Sequence, residues 1–103
     1  MTDLERELQT ALLELHRKWK AVHYYNSWFL EMVTQTRNTK LYKGPLRTVR
    51  DLLASEDSKG FRVLGDAGKA HWTVEFLILE PKWKALFTEE ELSKAHARLS
   101  GLG

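Results

Sequence analysis

Cysteine is absent from this chain of 103 residues, which excludes disulfide staples and thiolate metal sites. Small secreted domains usually need such staples, so a cytoplasmic location is expected. Long apolar stretches are missing too. The longest is Phe76-Leu77-Ile78-Leu79, far short of the ~20 residues that span a bilayer. The charged start, Met1-Thr2-Asp3-Leu4-Glu5-Arg6-Glu7, lacks the apolar core of a signal peptide, and no membrane association is expected. Glycine and proline are scarce, with none between Met1 and Lys43. That favours helix over the first two-fifths of the chain.

What is present suffices for a core. The hydrophobic content is 43%, with 4 Trp, 3 Tyr and 4 Phe, and the length fits one domain over residues 1–103. Thr2-Asp3-Leu4-Glu5 reads as a capping box. Leu4, Leu8, Leu12, Leu15, Trp19 and Val22 then recur at helical spacing. The pattern can be carried through Asn26, Phe29 and Val33, which would make one helix over 3–36, roughly 50 Å long. Such a rod would protrude from a 100-residue domain, with Asn26 at a buried coiled-coil position and a homodimer as its natural form. A break near His23–Asn26, followed by a second helix to about Arg37, is preferred. Gly44-Pro45 opens a third helix with Leu46, Val49, Leu52 and Leu53 on its apolar face and Arg47 and Arg50 opposite. Thr88-Glu89-Glu90-Glu91 is a second capping box, launching a last helix with Leu92, Ala95 and Leu99 inward. Residues 72–79 read either as a strand paired with 61–64, giving a winged-helix-like hairpin at 61–79, or as a helix capped by Thr73.

Several of these residues carry a resemblance. Gly60-Phe61, Leu64, Thr73-Val74-Glu75-Phe76-Leu77-Ile78-Leu79, Leu86-Phe87-Thr88, Glu90-Glu91-Leu92, Ala95 and Leu99 resemble a small, functionally uncharacterised bacterial helical domain family. Tyr24-Tyr25, Phe29-Leu30, Gly44, Val49 and Leu52-Leu53 are similar to its upstream part. The resemblance implies an all-α fold, a compact bundle of four to five helices, and places the winged-helix alternative second. It implies nothing about activity. Lys40-Leu41-Tyr42-Lys43 and Pro45 depart from the glycine-and-valine link of that family.

No catalytic or metal constellation is recognisable. His16 and His23 share a helix face about 10 Å apart, too far to ligate one ion, and His71 and His96 stand alone. Glu89-Glu90-Glu91 suits a helix start better than acid–base chemistry. Ser27, Ser55 and Ser93 lack a nucleophile-elbow context. A non-enzymatic module without cofactor or metal is therefore expected.

The charge distribution is the informative feature. Between Arg17 and Arg50 lie eight cations and one acid, Glu31. The window is thus about seven charges positive, and the remainder about five negative. Nucleic-acid association through Arg17, Lys18, Lys20, Lys40, Lys43, Arg47 and Arg50 follows as the first reading, with Tyr42 as a stacking residue. Three aromatics flanked by cations (Trp19, Tyr42 and Trp83) share this theme, although each fits a core role as well, Trp19 on the leucine face most of all. The alternative is a protein-interaction module, adaptor or inhibitor, docking an acidic protein partner or itself through Tyr24 and Trp28 on the aromatic helix 23–33.

Overall fold

The computed structural model of the chain describes residues 2–34, 42–55 and 59–101. Among them the regular structure is entirely helical. The helices are α1 (Asp3–Trp19), α2 (Ser27–Val33), α3 (Pro45–Ala54), α4 (Lys59–Asp66), α5 (Val74–Ile78) and α6 (Glu89–Ser100), joined by 3₁₀ turns at Lys20–Val22, Ala70–Trp72 and Pro81–Leu86. The Cα radius of gyration is 12.9 Å, the size expected of a compact chain of this length.

Five of the six α-helices, α1, α2, α3, α5 and α6, begin where a side chain satisfies orphan amides or proline removes one. Thr2 and Thr88 both close capping boxes, with Glu5 and Glu91 reaching back to the cap amides. Asn26 and Thr73 cap α2 and α5 by accepting from Phe29 and Phe76 N–H, both at 3.1 Å. Pro45 opens α3 behind Gly44 at φ +86°, a conformation glycine adopts readily. The amides of Lys43 and Gly44 both donate to Met32 O at 2.9 Å, tying the start of α3 to the end of α2.

The hairpin alternative is overturned by the way α4 ends. Gly68 has φ +72°, Lys69 N–H donates to Leu64 O at 2.8 Å and Gly68 N–H to Gly65 O at 3.1 Å. These are the two bonds of a Schellman helix ending. The glycines thus stop a helix instead of turning a ribbon, and residues 61–64 lie inside α4. The bundle also has more pieces than the four to five expected, because α4 forms a helix over a stretch read as loop and strand.

One core joins the elements. Leu8, Leu12, Leu15 and Trp19 of α1 bury against Phe29 and Val33 of α2, Val49 and Leu53 of α3, Leu64, Val74 and Ile78, then Trp83, Phe87 and Ala95. Full burial of side chains of this kind contributes about 1.5–3 kcal/mol each. Trp83 is a core anchor at 2% exposure, as is Trp19 at 3%. No described helix is long and apolar enough to cross a membrane.

A buried ion pair locks three helices together. Arg98 on α6 donates to the Glu75 carboxylate of α5 at 2.9 Å, to Leu52 O and Leu53 O at 3.0 Å each, and to Ser55 O. The side chains are 15% and 5% exposed. Removing one member of such a pair strands the other charge, while the freed α3 carbonyls lose their donor. Arg98→Ala is therefore expected to lower unfolding stability in urea by ~3–5 kcal/mol, and a change within error would show the pair to be dispensable.

Candidate functional site

The surface of interest is set by how α1 stops. After Trp19 the chain tightens into a 3₁₀ turn, and His23 adopts the left-handed conformation, φ 58° and ψ 31°. Tyr24 N–H donates to Trp19 O at 3.1 Å and His23 N–H to Lys20 O at 3.0 Å. This is the same Schellman pattern as at Gly68, with histidine where glycine is usual. The chain reverses here, and α2 returns along α1.

Side-chain hydrogen bonds fasten α2 at both ends. Gln9 Nε2 donates to Val33 O at 2.7 Å. At the other end, Asn26 N–H donates to His16 Nε2 at 3.1 Å, while Asn26 Nδ2 donates to the Tyr24 hydroxyl at 3.2 Å. His16 is 2% exposed. Its ring stacks at 6.0 Å on Phe29 and meets Tyr25 edge-on at 5.0 Å and Trp19 at 5.4 Å. Burial, with the nearby Lys20 ammonium adding to it, holds its pKa below the ordinary histidine value. Trp19 in turn donates its indole N–H to Trp72 O at 2.7 Å, so the corner rests on the 3₁₀ turn before α5.

Outside this buried layer lie the cations and rings. Arg17, Lys18 and Lys20 are exposed and make no ion pair with any described residue. Tyr25 and Trp28 are 61% and 65% exposed. Tyr24, by contrast, is half-buried and packs on Trp19 at 5.2 Å. The helical reading of residues 23–33 grouped Tyr24 with Trp28, but α2 begins only at Ser27. Tyr25, not Tyr24, is Trp28's exposed neighbour at the corner. The signal that reveals this is Asn26 itself: read as a cap, it puts both tyrosines outside the helix.

The remaining cations of the basic window are disposed differently. Lys43 pairs with Asp51 at 2.6 Å. Arg50 pairs with Glu91 at 3.0 Å and donates to Leu86 O at 3.3 Å. Burial acts to raise the Glu91 pKa, but the Thr88 amide and Arg50 outweigh it and leave the carboxyl below its usual range. Arg47 is exposed, Tyr42 is half-buried, and Lys40, with Arg37, lies outside the described residues. Both acids that draw off window cations, Asp51 and Glu91, stand just beyond the window in sequence or across the fold.

No family model matches this chain, and neither the curated proteins nor the solved structures yield a match. The site is thus read from its own chemistry.

Among the described residues no group of three or more His, Asp or Glu is placed to hold a metal ion. Behind the corner a cavity of about 160 Å³ is lined by Trp19, Tyr24, Phe29, Leu64 and Glu75, and its acid is committed to Arg98. What the corner offers outward is positive charge and flat apolar rings.

Asn26 orders this corner through a side-chain cap and a backbone link. Asn26→Ala is expected to lower stability to urea by about 1 kcal/mol, with Asn26→Asp retaining most of it because the capping acceptor remains. Equal loss from both substitutions would remove the cap from the account.

Proposed function

We propose that this chain is a non-enzymatic binding module for single-stranded nucleic acid, acting through the corner between α1 and α2. The observation that carries the reading is that three exposed cations pairing with no described acid, Arg17, Lys18 and Lys20, are followed across the turn by two exposed rings, Tyr25 and Trp28. Cations that neutralise phosphates release condensed counterions. Exposed aromatic faces stack on bases, and any base supplies a face. A duplex keeps its bases stacked on each other, so the rings favour an unpaired strand. Arg47, exposed on α3, is not part of this corner, and Lys43 and Arg50 each already hold an acid.

Cations at the last turn of a helix also have a purely structural use, since they complement its dipole by about 0.3–1 kcal/mol each. That accounts for Arg17 and Lys18 but not for two large rings left in water beside them. The rings would equally serve an interface with an acidic protein, so a polyanion without bases is the informative control.

Binding of a labelled oligothymidylate, followed by fluorescence anisotropy, is expected to weaken with salt at a log–log slope of about −2, corresponding to three phosphate contacts on a single strand. Replacing Arg17, Lys18 and Lys20 together by alanine should abolish most of that slope. Trp28→Ala should weaken binding about tenfold while leaving the slope nearly unchanged. Absence of binding at ~50 mM salt, or equal binding of polyglutamate, would overturn the reading.

A further inference from the structure

We propose that His16 and the Asn26 amide form a proton-operated latch between α1 and α2. Neutral His16 holds the link that presents Tyr25 and Trp28, and protonation of Nε2 releases it. The argument begins with donor and acceptor chemistry. A backbone N–H can only donate, so the Asn26 amide at 3.1 Å requires Nε2 to carry a lone pair and the ring proton to sit on Nδ1. A second proton, added at Nε2, would set two donors against each other in a site that is 2% exposed. The amide would lose its acceptor, and the imidazolium would be left among the rings of Trp19, Tyr25 and Phe29.

The surroundings make the neutral form the resting one. From the 3₁₀ turn Lys20 brings a positive charge to bear on the ring, from the link Tyr25 contributes a phenol in edge contact, and from α2 the ring meets uncharged Phe29. None of these supplies a carboxylate to receive an imidazolium. Burial foremost, then Lys20, lowers the His16 pKa. The folded value therefore lies below the unfolded one near 6.5. The latch contributes its full stability above that pH and loses it as pH falls through the folded value.

What the latch controls follows from position. Asn26 caps α2 through Oδ1, and the exposed rings are Tyr25, immediately before the cap, and Trp28, two residues after it. Freeing its amide loosens the cap residue that fixes where both rings stand. Control over nucleic-acid binding is a consequence that rests on the binding reading. The latch itself does not, and its test contains no nucleic acid.

The test is NMR on the whole chain, titrated from about pH 7.5 to about pH 5, across the range where histidine changes charge. At neutral pH the imidazole ¹⁵N signals of His16 are expected to show an unprotonated Nε2 and a protonated Nδ1. On acidification the hydrogen-exchange protection factor of the Asn26 amide should fall about tenfold as His16 charges, while the Ala95 amide in α6 keeps its protection. In His16→Gln, which cannot charge, the Asn26 protection factor should not depend on pH. If that variant does not fold, the wild-type ¹⁵N and exchange data still decide. A protonated Nε2 at neutral pH, or undiminished Asn26 protection once His16 is charged, would overturn the latch.

Discussion

The reversal between Trp19 and Asn26 is the constraint on which the rest of the functional face depends. If α1 ran on, Asn26, Phe29 and Val33 would extend a rod about 50 Å long, and the leucine face of α1 would lose the cover that Phe29 and Val33 give it. The reversal instead lays α2 back on α1, and Phe29 and Val33 become 1% and 0% exposed. A left-handed conformation at a non-glycine residue costs about 1–2 kcal/mol. Burial of Phe29 and Val33 contributes about 1.5–3 kcal/mol each, before the two Schellman bonds and the Asn26 cap are counted. The balance favours the turn even with histidine in the glycine position.

The same reversal decides which charges are free. Sequence proximity groups eight cations between Arg17 and Arg50, but folding brings acids to some of them and not to others. Asp51, one turn on from Arg47 on α3, reaches Lys43, and Glu91 reaches Arg50 from the first turn of α6. No described acid pairs with Arg17, Lys18 or Lys20 at the end of α1. Among the described residues the window cations left without an acid are therefore Arg17, Lys18 and Lys20 at the corner and Arg47 on α3, and Tyr25 and Trp28 emerge at the corner because Asn26 stops them from packing as helix neighbours. Arg98 acts behind the corner, holding α3, α5 and α6 together next to the 3₁₀ turn that accepts the Trp19 indole.

Much of this was legible from the sequence wherever one local rule spoke clearly. Both capping boxes, the Gly44-Pro45 start, the Thr73 cap and the leucine–tryptophan face of α1 match their sequence signatures. The two Schellman endings show where legibility stops. At Gly68 the residue type announces a positive φ, though the sequence leaves open whether a helix end or a hairpin follows. At His23 nothing announces it, and only the cost of a 50 Å rod argues for a break. The pairing of Arg50 with Glu91 was invisible for a different reason: a charge count over a window cannot register an acid 41 residues away. The buried role of His16 was hidden as well, because its acceptor atom meets an amide ten residues on only after the chain has turned back.

The central claim is that one corner of the bundle, rather than the whole basic window, meets an unpaired strand. The most direct measurement is the set of backbone amide shifts in ¹H–¹⁵N spectra as a short oligothymidylate is added. Perturbations confined to residues 17–20 and 23–29, with α6 unmoved, are the expected result. Perturbations centred on α5 and α6, spread evenly over the chain, or absent at saturating oligonucleotide would contradict it.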